Sequence, residues 1–177
     1  LARRTSLQEE LTSLGAGEER ARALQDDERA ARERFERDAA ALSAKRQAAA
    51  RALSRALESA LAELAMPQCR VDVRIAALAA GSDWTRTGTD RVEIFLSPNP
   101  GEELRPLARI ASGGELSRVM LALRTLTTMG ESGRTLVFDE VDAGVGGAAA
   151  DAVGARLQML ARTHQVLCIT HLPQIAA

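Results

Sequence analysis

Thr135-Leu136-Val137-Phe138-Asp139-Glu140 decides how the rest of the chain is read, because a short apolar run is closed there by two adjacent carboxylates. The run is too brief for a helix, and its composition predicts a strand buried on both faces. Gln165-Val166-Leu167-Cys168-Ile169-Thr170 is a second run of this kind, followed by His171. Between the two, Val153, Leu157 and Leu160 recur at helical spacing. Strand, helix and strand over this length predict a right-handed crossover between parallel strands.

Ligands of open α/β sheets lie beyond the carboxyl ends of the strands. Asp139, Glu140 and His171 fall there. An acidic pair in that place suits a Mg-nucleotide. One carboxylate holds the metal, usually through water because Mg2+ dehydrates reluctantly, and the next orients or deprotonates the attacking water. Carboxylates after strands are also common in loops, so the pair alone leaves both readings open. Ala111-Ser112-Gly113-Gly114-Glu115 stands directly ahead of a helical face of Leu116, Val119, Met120, Leu123 and Leu126. Ser112 and Glu115 have the spacing of a capping box, worth about 1 kcal/mol. A cap does not need two glycines in the first turn, where each costs about 1 kcal/mol against Ala. Glycines there open backbone N–H groups to a ligand at the positive end of the helix dipole, which suits a phosphate. A P-loop, Gly-x-x-x-x-Gly-Lys-Ser/Thr, is absent, and the only lysine is Lys45. Either no nucleotide binds, or the P-loop lies on another segment.

Toward the N-terminus the pattern changes. Val71, Val73 and Ile75 alternate with Asp72 and Arg74, and Val92, Ile94 and Leu96 alternate with Glu93 and Phe95. These predict two strands, antiparallel and joined by the polar stretch Gly81 to Asp90. Ser97-Pro98-Asn99-Pro100-Gly101 has the residues of a loop. Before Met66-Pro67, which ends the helical pattern, the chain is rich in Ala, Arg, Glu and Leu. Gly15 and Gly17 predict a turn or a helix start. From Ala21 through Leu24, Ala31, Phe35, Leu42, Ala49, Leu53, Leu57 and Leu64 one apolar stripe runs at heptad-like spacing. A helix from Gly17 to Met66 would span roughly 70 Å, too long for a small domain, so it is expected to project and pair with another helix. A helical bundle within a globular domain is the competing reading. The charges of this region balance, 12 basic against 12 acidic, as on a solvated coiled-coil face rather than a DNA-binding stripe.

Composition narrows the classes further. Apolar residues make up 46% and aromatics 2%, with no Tyr, so the core must be built from Leu, Val, Ile and Ala. A formal charge of −1 argues against bulk electrostatic binding of nucleic acid, so any DNA contact must be local. Cys69 and Cys168 fit no metal or redox spacing and are expected to be buried, reduced thiols of a cytosolic protein. No apolar run approaches the ~20 residues of a membrane span. The chain starts without Met and ends just past a strand-like run, as expected of a piece of a longer protein.

Three of these elements together resemble the ABC ATPase superfamily. Ser112-Gly113-Gly114-Glu115 resembles the signature motif, Leu136-Val137-Phe138-Asp139-Glu140 resembles Walker B with its catalytic glutamate, and His171 is similar to the switch histidine. Ala143-Gly144-Val145-Gly146 occupies the D-loop place but lacks that loop's closing Asp. Transporters usually follow the catalytic Glu with Pro. Val141-Asp142 resembles instead the SMC-like branch of chromosome and repair ATPases, in which a coiled coil splits the head and the P-loop lobe comes first. Ser97 to Gly101, Ile110 to Arg118 and Ile169-Thr170-His171-Leu172-Pro173-Gln174 are similar to the RecN family of bacterial DNA-repair ATPases. That likeness covers roughly Val92 to Ala177.

The resemblance implies an α/β fold, an ABC ATPase head lobe with a mixed sheet and flanking helices, preceded by a long antiparallel coiled-coil helix. It implies an arm over 1–66 and the C-terminal head lobe over 67–177. Two heads would sandwich ATP as a homodimer, with further contact at the coiled-coil tips. Asp139 would bind Mg2+ through water, Glu140 would activate the attacking water, and His171 would contact the γ-phosphate. Ser112, Gly113, Gly114 and Glu115 would form the signature that meets the partner's nucleotide. The expected activity is ATP-driven double-strand-break repair in the cytoplasm at the nucleoid, on double-stranded DNA with ends or single-stranded tails, alongside the recombinase RecA. The 177 residues alone, without the P-loop lobe, are expected to be inactive. Another SMC-like chromosome ATPase, or a non-catalytic coiled-coil scaffold, are the alternatives.

Overall fold

The computed structural model describes residues 2–79, 84–127 and 133–176. Its elements run α1 (Ala2–Glu63), β1 (Arg70–Ala77), β2 (Asp90–Ser97), β3 (Arg105–Pro106), a 3-10 turn (Leu107–Arg109), α2 (Gly113–Thr127), β4 (Thr135–Phe138), α3 (Ala148–Ala161), β5 (Gln165–Cys168) and α4 (Pro173–Ala176). The residues group into two compact units, one of Leu1–Lys45 with Ala79–Thr89 and one of Arg46–Leu78 with Asp90–Ala177.

In the first unit α1 passes through Gly15 and Gly17 without a break, against the turn or helix start expected there. Their neighbours are mostly strong helix formers, and a helix this long outweighs about 1 kcal/mol lost at each glycine. Its surface is held by short-range pairs such as Arg32–Glu36 at 3.0 Å and Arg29–Asp26 at 2.6 Å. Both pairs are exposed and worth little individually. Leu7, Leu11, Leu14 and Leu24 are all more than half exposed. Trp84, the chain's one tryptophan, stacks on Phe35 with ring centroids 4.6 Å apart. Of the polar connector expected between β1 and β2, Gly81 to Asp83 lie outside the described residues.

In the second unit the last turns of α1 enter the core, where Leu57, Leu61 and Leu64 are fully buried together with Val71 and Leu96. Two side chains of α1 also cap the edge of β1. Glu58 accepts from Val71 N–H at 2.9 Å, and Ser54 accepts from Val73 N–H at 3.2 Å. The helix ends three residues before Met66. Met66 N–H reaches back to Leu61 C=O at 2.9 Å, with Ala65 at φ 62°. This is the left-handed C-cap in which glycine is usual, and Pro67 then forbids continuation.

β1 and β2 pair antiparallel as expected, with Val71 opposite Leu96, Val73 opposite Ile94 and Ile75 opposite Val92. β3 adds to β2 through Phe95–Pro106 and Leu96–Arg105. β4 and β5 form a separate parallel pair, Thr135 with Gln165 through Phe138 with Cys168, connected by α3. The α/β class and the long leading helix are therefore as expected.

Two expectations need correction. β4 and β5 are not buried on both faces, because Val137 is 65%, Leu167 51% and Ile169 63% exposed. Phe138, Leu136, Val166 and Cys168 pack into the core, and the alternate side chains point the other way, where no described element covers them. On α2 the buried positions include Leu121 and Ala122, while Met120 is 37% exposed. α2 also packs against α3, so its covered arc is not centred on the single stripe the spacing suggested.

Candidate functional site

The site is assembled from three chain reversals of the second unit. α2 starts at Gly113 with Ser112 as its cap, since Ser112 Oγ accepts from Glu115 N–H at 3.3 Å and Ser112 C=O accepts from Leu116 N–H at 3.0 Å. Asp139 and Glu140 leave the carboxyl end of β4, both exposed. His171 follows β5, whose end is tied to β4 by Ile169 N–H donating to Phe138 C=O at 2.9 Å. Parallel pairing thus brings the acidic pair and the histidine to the same end of one sheet, as the sequence reading placed them.

The two glycines of α2 have packing reasons that composition did not reveal. A methyl group on Gly113 would collide with the Glu140 carboxylate. One on Gly114, which is buried, would come within 2.7 Å of Ala143 Cβ and 3.2 Å of Glu140 C=O. Glu140 therefore lies over the first turn of α2, where the helix dipole favours a carboxylate. Arg118, one turn further along, is 7% exposed and donates from Nη1 to Ala143 C=O at 2.7 Å. The segment after β4 and the start of α2 are in this way packed as one piece. Glu140 itself takes φ 55°, the left-handed region that a non-glycine residue rarely adopts.

Asp142 is the residue whose role at the site sequence reasoning missed. It is 2% exposed, and its Oδ2 accepts from Thr170 Oγ1 at 2.6 Å and from His171 N–H at 2.9 Å. The same oxygen lies 3.0 Å from His171 Nδ1. Burial pushes the Asp142 carboxyl up, but the Thr170 and backbone hydrogen bonds and the nearby His171 together outweigh it and hold the group below the ordinary carboxylate value. Burial, then the charges of Asp142 and Asp139, push the Cys168 thiol up. The Cys69 thiol is pushed up to about 11, first by burial and then by Glu58 and Glu115. Both cysteines are unpaired thiols, although Cys168 is only partly buried.

An open groove of 380 Å³ runs beside Asp139, lined by Leu116, Met120, Arg124 and the whole of β4. Among the described residues no three His, Cys, Asp or Glu side chains cluster as a metal cage. A Mg2+ held by one carboxylate and completed by phosphate and water oxygens fits an exposed Asp139 without such a cage. Among the described residues, no helix is long and apolar enough to cross a membrane.

The fold is an α/β lobe behind a long helix. The chain is RecN-like along almost all of its length. It is 47% identical over 169 residues to the DNA repair protein RecN of Deinococcus radiodurans, covering 96% of the chain and 29% of that protein. RecN of Halalkalibacterium halodurans is 37% identical over 174 residues, 98% of the chain and 31% of that protein. The chain thus spans less than a third of the length of these relatives. No family model matches it. Among solved structures, an SmcHead bound to the C-winged helix domain of ScpA aligns at a TM-score of 0.47 and 22% identity, over 71% of this chain and 36% of that one.

Proposed function

We propose that this chain is the signature-bearing lobe and arm of a RecN-type DNA double-strand-break repair ATPase. The observation that carries the reading is the meeting of the Ser112-capped helix start with Glu140, on the lobe whose neighbouring parallel strands also deliver Asp139 and His171. The RecN relatives, named as DNA repair proteins, support the repair role. In this reading Asp139 would hold Mg2+ through water, and a bound ion would supply positive charge to the nucleotide's phosphates. Glu140 takes the proton of the attacking water, and His171 faces the γ-phosphate. Ser112 and Gly114 present the start of α2 to a nucleotide on a second copy, so that two heads close on ATP and part after hydrolysis. The P-loop lysine comes from a preceding lobe of the same polypeptide, and the uncovered apolar face of β4 and β5 is the surface such a lobe would cover. DNA is held through local contacts or through the arms, at the nucleoid and alongside RecA.

Ser112→Asp in the full-length protein tests this. Asp is as good an N-cap as Ser, so melting temperature should hold. It also sets a carboxylate where the partner's γ-phosphate docks, and like charges at close range repel strongly in a poorly hydrated site. The variant should bind ATP normally but fail to dimerise with ATP in sedimentation. Mixing it with an Asp139→Asn variant should restore one composite site. A variant that melts and dimerises like the parent would leave Ser112 as a cap only.

A further inference from the structure

Asp142 makes more contacts than a loop staple requires. Two of its three partners, the Thr170 hydroxyl and the His171 N–H, are enough to fix the segment after β5 against the turn after β4. The third, the His171 ring, adds nothing to that staple. His171 has 73% of its side chain exposed, whereas the Asp142 side chain is 3% exposed, so a buried acceptor grips one edge of a ring whose remainder faces solvent. An ionised carboxylate only accepts hydrogen bonds. The hydrogen bonds it receives from Thr170 and from the backbone keep Asp142 in that form at neutral pH. Nδ1 lies 3.0 Å from Oδ2, in ion-pair range, and an ionised carboxylate beside it favours the ring form that carries hydrogen on Nδ1, which leaves Nε2 as the outward atom.

We propose that Asp142 is the positioning residue of His171, accepting its Nδ1–H so that Nε2 alone is presented to the bound phosphate. The nucleotide in this statement rests on the function proposed above; the ring orientation does not. A histidine side chain this exposed would otherwise sample both tautomers and several rotamers. Anchoring one edge removes that freedom before substrate arrives, as the second partners of metal-bound histidines do.

The test uses full-length protein labelled with 15N-histidine, with a His171→Gln spectrum to identify the His171 signals. Two-bond proton–nitrogen correlations in the nucleotide-free parent should show the neutral ring protonated at Nδ1. Asp142→Ala, which leaves no acceptor, should lose that pattern and lower kcat for ATP about tenfold to a hundredfold, with KM near the parent. Thr170→Val removes the bond to Asp142 and the one its hydroxyl accepts from Leu172 N–H at 3.1 Å, without touching the ring, so it should keep both the pattern and kcat. A parent ring protonated only at Nε2 overturns the proposal, and this measurement needs no variant to fold. So does an Asp142→Ala protein that keeps the parent's tautomer and kcat, or a Thr170→Val protein that loses as much as Asp142→Ala. If the parent itself does not hydrolyse ATP, the proposed function fails while the tautomer still decides the role of Asp142.

Discussion

Glu140 has a backbone that favours glycine and a side chain that the proposed chemistry cannot spare. Its φ of 55° costs a non-glycine residue about 1–2 kcal/mol. Glu140→Gly should therefore raise the unfolding free energy by roughly 0.5–1 kcal/mol, the relief being partly offset by glycine's extra freedom when unfolded. It should also abolish ATP turnover. Glu140→Gln keeps the strain and the shape, so melting and ATP affinity should stay put while kcat falls on the order of a hundredfold or more. Thermal melts and steady-state ATPase assays separate the two, and a glutamine variant with normal turnover would remove Glu140 from the chemistry. Asp139, Glu140 and His171 were legible as candidates because the carboxyl end of a parallel strand is where ligands gather. Asp142 was not. An aspartate two residues past the acidic pair looks like an ordinary turn residue until parallel pairing brings Thr170 and His171 to it.

Elements were legible where one periodicity dominates. The alternation of Val71, Val73 and Ile75 against Val92, Ile94 and Leu96 contained which residues of β1 and β2 share a face, because a slip by one residue would turn every apolar side chain to the wrong face, while the exact pairing came from the structure. Glycines were read less well, since the letter is the same whether the space around it is empty or full. At Gly15 and Gly17 a methyl group would meet nothing within 4 Å, whereas at Gly114 it would meet Ala143 and the Glu140 carbonyl. Gly15→Ala and Gly17→Ala should each stabilise α1 by about 1 kcal/mol, seen as gained helicity on a thermal melt followed by circular dichroism. Gly114→Ala should instead destabilise by about 1–3 kcal/mol, as overpacking of a close contact does. A neutral Gly114→Ala in urea titration would mean that α2 and the segment after β4 are not packed as described.

At the scale of the whole molecule, the face carrying Val137, Leu167 and Ile169 sets the chain's open question. Parallel strands are found with both faces covered, yet this pair is covered on one. The chain spans 29% of its Deinococcus radiodurans relative, and the proposed P-loop lobe accounts for a covering layer. Sequence alone missed the exposure because an apolar run records that a strand is to be buried, not which part of a polypeptide buries it. Val137→Glu in the full-length protein discriminates. On a face open to water, such a change stays within about 0.5 kcal/mol. Under a packed lobe it would strand a carboxylate in apolar surroundings and cost several kcal/mol. The expected result is a large drop in the urea midpoint together with lost ATP turnover, because displacing the covering lobe also displaces its P-loop from Asp139 and Glu140. Val92→Glu on β2, half exposed in the second unit, is the matched control and should change little. Equal, small effects at both positions would mean that the face meets solvent in the whole protein and that the P-loop, if present, approaches from elsewhere.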